Sequence, residues 1–128
     1  MPQIGQYALI KNDKKQLLVL QRIRTKKWCL PGGRIHQDEN WEESFKREVK
    51  EEAGLDPTEY IPITVQLVRN DFQTKYCVYF STKVHDARTV TVEEGHASYA
   101  WADPEMLAKL SFEDKKVQAI ALEYLTSS

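Results

Sequence analysis

The chain has 128 residues, 41% of them hydrophobic and 29% charged, with a formal net charge of −1. That length predicts one domain spanning residues 1–128. The near-neutral balance excludes a dedicated nucleic-acid or membrane-surface binder, so a phosphorylated partner would have to be met by local positive charge or a bound cation. Cys29 and Cys77 lack metal-site or redox spacing and are expected as buried free thiols of a reducing compartment. No basic-then-apolar leader opens the sequence, and no apolar run approaches the ~20 residues that cross a bilayer. These features predict a cytoplasmic protein.

Residues 4–10 and 16–22 are strand-like and flank the polar stretch 11–15, which predicts a β-hairpin with Leu17, Leu18, Val19 and Leu20 buried. A polar segment carrying Arg22, Arg24, Lys26 and Lys27 leads to Trp28, read as core packing, and then to a turn at Pro31-Gly32-Gly33. Residues 41–53 have the composition of a helix, with Asn40 as cap and Glu42 and Glu43 at the positive end of its dipole. Gly54 ends it and Pro57 forbids continuation. Segments 61–69, 75–84 and 97–102 are rich in β-formers. On the last of these, Tyr99 and Trp101 share a side, with Trp101 expected inside. Asp103-Pro104 opens a short helix to about Leu110. A final helix from about Glu113 to Leu125 sets Val117, Ile120, Ala121, Tyr124 and Leu125 at helical spacing. The order predicts an α/β fold, a mixed sheet with helices packed on it.

On the helix 41–53, at ~100° per residue, Trp41, Phe45 and Val49 form an apolar stripe, with Glu43, Arg47 and Lys50 opposite it and facing water. Glu48, Glu51 and Glu52 fall within about 100° of one another, with Glu52 at the edge of the stripe. Carboxylates at ~6 Å spacing repel by roughly 3 kcal/mol per pair at an effective dielectric of 20. A half-buried one must protonate or find a counter-charge. Arg47 offsets part of that repulsion, and a hard divalent cation such as Mg²⁺ suits the remainder. A solvated Glu-rich face is the competing reading.

The segment Gly33 to Leu55 resembles the Nudix box, G-x5-E-x7-R-E-U-x-E-E-x-G-U with U a bulky aliphatic residue. It matches at Gly33, Glu39, Arg47, Glu48, Val49, Glu51, Glu52, Gly54 and Leu55. The resemblance implies the family's α/β/α sandwich and hydrolysis of phosphoanhydride-containing nucleotide derivatives. It implies that Glu48, Glu51 and Glu52 bind catalytic Mg²⁺ (with Mn²⁺ as substitute), helped by the Gly33 carbonyl. It further implies a structural Glu39–Arg47 ion pair and Gly54 as a left-handed terminator. Its partners would be small nucleotides, with a homodimer left open.

Within the family, Arg34, Asp38-Glu39, Phe45 and the stretch Gly95 to Trp101 are similar to GDP-mannose mannosyl hydrolases. That likeness makes His96 a general base in an H-x-x-Y-x-W context and gives Arg22 and Tyr76 diphosphate contacts. Three features depart from it: no N-terminal extension, a short connection at 69–74, and an intact Glu48. The first expectation is therefore a hydrolase of nucleoside diphosphates linked to another moiety, such as a nucleotide sugar. The alternative is a nucleoside triphosphate pyrophosphohydrolase with Glu93 or Glu94 as extra ligand or base. A non-catalytic nucleotide-binding module is the reading from another class.

Overall fold

The computed structural model describes residues 3–69, 71–84, 86–93 and 95–127, with only the backbone of Arg88 and Ala97. Asn70 and Glu94 lie outside the described residues. Among the described residues, seven strands form two sheets. β1 (Gln3–Ile10), β4 (Gly32–Arg34), β5 (Ile61–Arg69) and β6 (Thr74–Thr82) make one, in the order β4-β1-β6-β5. β2 (Leu17–Arg22), β3 (Trp28–Cys29) and β7 (His96–Ala102) make the other, in the order β3-β2-β7. The first is mixed, because β1 runs parallel to β6 and antiparallel to β4. α1 (Trp41–Ala53) covers one side, and α2 (Pro104–Lys109) and α3 (Lys115–Thr126) cover the other.

The core divides by strand alternation. Leu9, Leu17 and Val19 pack toward α2 and α3 with Leu107, Val117, Ala121 and Leu125. Their neighbours Ala8, Ile10, Leu18 and Leu20 pack toward α1 with Phe45, Val49 and Ala53. Because successive side chains in a strand point to opposite faces, strands buried on both faces read as unbroken apolar runs. Cys29 and Cys77 are free and buried. Trp28 packs partly buried against the first cluster and Trp101 against the second, whereas Tyr99 is 41% exposed.

The expected hairpin of residues 4–10 and 16–22 does not form as a ladder. A single antiparallel bridge, Lys11 to Leu17, joins the two strands before they part into different sheets. Each strand is buried on both faces, so each takes its hydrogen bonds from its own pair of neighbours: β1 from β4 and β6, β2 from β3 and β7. Turn chemistry at 11–15 reverses the chain but does not choose its partner. Among the described residues no helix is long and apolar enough to cross a membrane.

α1 is specified at both ends. Asn40 accepts from the Glu43 amide at 2.9 Å, and the Glu43 carboxylate reaches back to the Asn40 amide, closing a capping box. Gly54 ends the helix at φ 70°, its amide donating to the Lys50 carbonyl. A Cβ there would stand 2.1 Å from Thr91 Oγ1. Gly54→Ala is therefore expected to destabilise the fold by about 1–3 kcal/mol, from the left-handed backbone and the contact together. Urea denaturation measures this, and an unchanged midpoint would show that the cap is not under strain.

Candidate active site

α1 carries the acidic residues, and its placement separates them. Phe45 and Val49 are buried against the sheets, and Glu52, on the same side, is only 5% exposed. Its Oε1 accepts from the Gly32 amide at 3.2 Å. Burial pushes the Glu52 carboxyl up to about 8; the Gly32 hydrogen bond opposes the rise, and the charges of Glu48 and Glu93 add to it. Burial also raises Glu48, against the pull of Arg47. Glu51 is half exposed.

Arg47 does not face open water, as a plain helical wheel would have it. Its guanidinium folds back across the acids. Nε and Nη2 donate to the two oxygens of Glu39 at 2.6 and 2.9 Å, while Nη1 lies 2.9 Å from Glu48 and 3.2 Å from Glu51. This fork holds the Glu39 carboxyl down at about 2. It also ties the loop before α1, through Glu39, to the middle of the helix.

Gly33 occupies the approach to Glu48. A Cβ on Gly33 would meet the Glu48 carboxylate at 2.5 Å, so only a glycine lets that carboxylate lie against the backbone. As the side chains stand, no three acidic, histidine or cysteine groups among the described residues converge closely enough to hold an ion, because Glu48 and Glu51 are drawn to Arg47. The donor set nonetheless fits a hard cation. Three carboxylates leave one turn and a half of helix, one of them buried with only a backbone amide bonded to it. Glu48 and Glu51 hang on flexible stems beside it.

A second polar group lies on β2, β3 and β7. Arg22 binds Glu113 through Nε at 2.8 Å, and its Nη1 stands 3.5 Å from His96 Nε2. That same ring nitrogen is 3.9 Å from Cys29 Sγ. His96 is the first residue of β7 rather than a loop residue, and its side chain is 1% exposed. Burial lowers its pKa first, and the Arg22 charge lowers it further. Its Nδ1 has no hydrogen-bond partner and lies 3.7 Å from Glu93, whose side chain is 42% exposed. Glu113 is the residue that sequence reading passed over as a helix start. The backbone of Trp28 pairs with Ser111 and Glu113, which carries that carboxylate to Arg22.

Arg34 and Tyr76 stand apart from the acids. Arg34 is exposed on the edge strand β4 and lines a cleft of about 610 Å³ with Gln3, His36 and Glu39. Tyr76, on β6, pairs with Ile4 of β1 and Leu67 of β5 and is 40% exposed. Among the described residues no hydrogen bond, ion pair or ring contact joins either side chain to Glu48, Glu51 or Glu52.

The model of the NUDIX domain matches residues 1–122 of this sequence. The chain belongs to the Nudix family. Among the curated relatives of this chain, the nucleoside triphosphatase NudI of Escherichia coli is 33% identical over 77% of this chain and 80% of its own length. A putative 8-oxo-dGTP diphosphatase of Bacillus subtilis is 27% identical over 89% of this chain and 75% of its own. Other curated relatives are longer, the match taking in 34% of one and 19% of another. Among solved structures, a MutT protein from Methanosarcina mazei Go1 superposes with a TM-score of 0.77 at 26% identity, covering 97% of this chain and 93% of that one. The family's α/β/α sandwich is thus the fold of this chain.

The raised pKa of Glu52 has a measurable consequence. The folded chain keeps a proton that the unfolded chain, at the ordinary 4.5, gives up. Stability from this group is therefore full below pH 4.5 and falls as pH rises toward 8. His96 has the opposite sign, because its folded pKa lies below 6.5. Comparison with a variant isolates Glu52. In EDTA, Glu52→Gln is expected to remove the decline and to exceed the wild type at pH 8.5 by on the order of a few kcal/mol. Identical pH slopes in urea titrations would show that Glu52 ionises freely in the fold.

Proposed function

We propose that this Nudix hydrolase cleaves nucleoside triphosphates, or closely related derivatives, to a nucleoside monophosphate and pyrophosphate in the presence of Mg²⁺. The observation that carries the proposal is the buried Glu52 carboxylate beside Gly32, with Glu48 and Glu51 on the next turn of the same helix. A group that keeps so high a pKa next to two other acids gains most from a divalent cation. The names of the Escherichia coli and Bacillus subtilis relatives, a triphosphatase and a diphosphatase, point to the same class of substrate.

Glu48, Glu51 and Glu52 would hold the metal, together with the backbone at Gly33. A bound Mg²⁺ would offset charge on the bridging phosphate oxygens and lower the pKa of an attacking water. Mn²⁺ has the same ligand preferences and would substitute. Arg47 keeps Glu39 and the loop in register, and would have to release Glu48 and Glu51 for them to serve as metal ligands. Arg22, 45% exposed and already anchored by Glu113, offers a guanidinium to the polyphosphate. In the reaction the oxygen of water bonds to phosphorus, the anhydride P–O bond breaks, and pyrophosphate leaves. A general base takes the water's proton.

Glu93 is better placed for that last role than His96. The carboxylate is open to solvent and close enough to add to the charge felt by Glu52. The imidazole is sealed beneath Arg22 and Cys29. Glu94, the other candidate, lies outside the described residues. We therefore assign His96 to packing beneath Arg22. The nucleotide-sugar reading rests on Arg34, Asp38-Glu39, Phe45 and the stretch Gly95 to Trp101; its base, His96, is buried, and Arg34 and Tyr76 stand apart from Glu48, Glu51 and Glu52.

The decisive assay incubates the protein and Mg²⁺ with nucleoside triphosphates, oxidised triphosphates and GDP-mannose, with products identified by mass. Monophosphate plus pyrophosphate is expected. Free sugar plus nucleoside diphosphate would replace this reading with glycosyl hydrolysis, and no product in any arm would leave a binding module. Glu52→Gln should lower kcat by about 10²–10³-fold, the loss typical of a missing electrostatic group. In pH–rate profiles, Glu93→Gln is expected to remove 10²-fold or more, and His96→Ala under tenfold with the acid limb unmoved. The reverse ranking would return the base to His96.

A further inference from the structure

α1 does not cover the whole of the sheet face on which it packs. Beyond its first turn lies a concave pocket of about 520 Å³, walled by Ile4, Trp41, Tyr60, Val78 and Phe80 with Gln6 among them. A volume of this size is that of small-molecule sites, which combine mostly apolar walls with a few placed polar atoms. The aromatic walls are mutually braced. Trp41 and Phe80 stack at 5.2 Å between centroids with an interplanar angle of 11°, and Tyr60 meets Trp41 edge-on at 5.7 Å.

The polar atom is the informative one. Gln6 is 2% exposed, and its Oε1 is buried without a hydrogen-bond partner. A buried acceptor left so is destabilising, because it has given up its hydration and received no bond in return. A water molecule would need two to four polar partners to stay there, and these walls supply few. A ligand that brings its own N–H satisfies the atom and fills the apolar volume together. We infer that this pocket binds a flat heteroaromatic molecule bearing a ring N–H, the N–H donating to Gln6 Oε1 and the ring lying against Trp41 and Phe80.

This site is distinct from the carboxylate site. Trp41 is the first residue of α1 and Glu48 lies seven residues on, about 10 Å along the axis. Glu52 is further still along the helix, and the two sites border each other at Gln6, which pairs with Gly33 and lies against Gly32 through its carbonyl. The proposal does not depend on the reaction assigned above. A second copy of this chain is the competing occupant, because Val65, Leu67 and Tyr76 expose apolar surface beside the pocket.

Indole and 1-methylindole are the probes, since they differ in the one donor that matters. Binding to the full chain is followed by calorimetry and by the indole N–H resonances of Trp28, Trp41 and Trp101. The expected result is one saturable site for indole, a shift confined to Trp41, and affinity for 1-methylindole lower by about fivefold or more. Gln6→Leu should abolish that preference, and Val78→Trp, which fills the cavity, should abolish binding. The ligand pair needs no variant, so a misfolded variant leaves the test intact. Equal affinities, a shift at Trp28 or Trp101 instead, or no indole binding with sedimentation showing a dimer that buries Trp41 would each overturn the proposal.

Discussion

The site is organised around a carboxylate that the fold withdraws from water. Glu52 sits one helical turn below Val49 on the face that packs against the sheets, so the burial that holds α1 in place also strips that carboxylate of solvent. A single backbone hydrogen bond from Gly32 cannot offset the loss of hydration, and the carboxyl's affinity for a proton rises. Everything else in the site, from the cap at Gly54 to the clearance at Gly33, sets where that carboxylate and its neighbours stand.

Arg47 gives the arrangement a second function. Its bidentate hold on Glu39 is a fixed strut between loop and helix. Its remaining nitrogen lies between Glu48 and Glu51 and draws both toward it. One guanidinium thus offsets the repulsion between Glu48 and Glu51. The two uses differ in strength: the paired bonds to Glu39 are short and shielded, whereas Glu51 is half exposed and its bond is screened by water.

Much of this was legible before any coordinates. The helix 41–53 has the bounds its cap, acidic first turn and glycine stop imply, because capping is a local matter settled within a few residues. The placement of Glu52 at the edge of the apolar stripe follows from helical periodicity alone. Less legible were contacts made across the fold. Arg22 finds Glu113 only because the backbone of Trp28 pairs with residues 111 and 113, a pairing with no local signature. His96 looks like a loop residue in sequence, since a glycine precedes it, yet it opens the ladder between β7 and β2 and is buried.

The sequence by itself determined the family, the helix that bears the acids, its two ends, and which of those acids lies against the core. Each depends on spacing along a chain whose local geometry is set by hydrogen bonds three or four residues apart. Only the tertiary structure decided that β1 and β2 part into separate sheets, that Arg47 turns back over the acids, and that Gln6 and His96 lose their contact with water. Those outcomes depend on which distant surfaces compete for the same buried face, and no window of neighbouring residues encodes that competition.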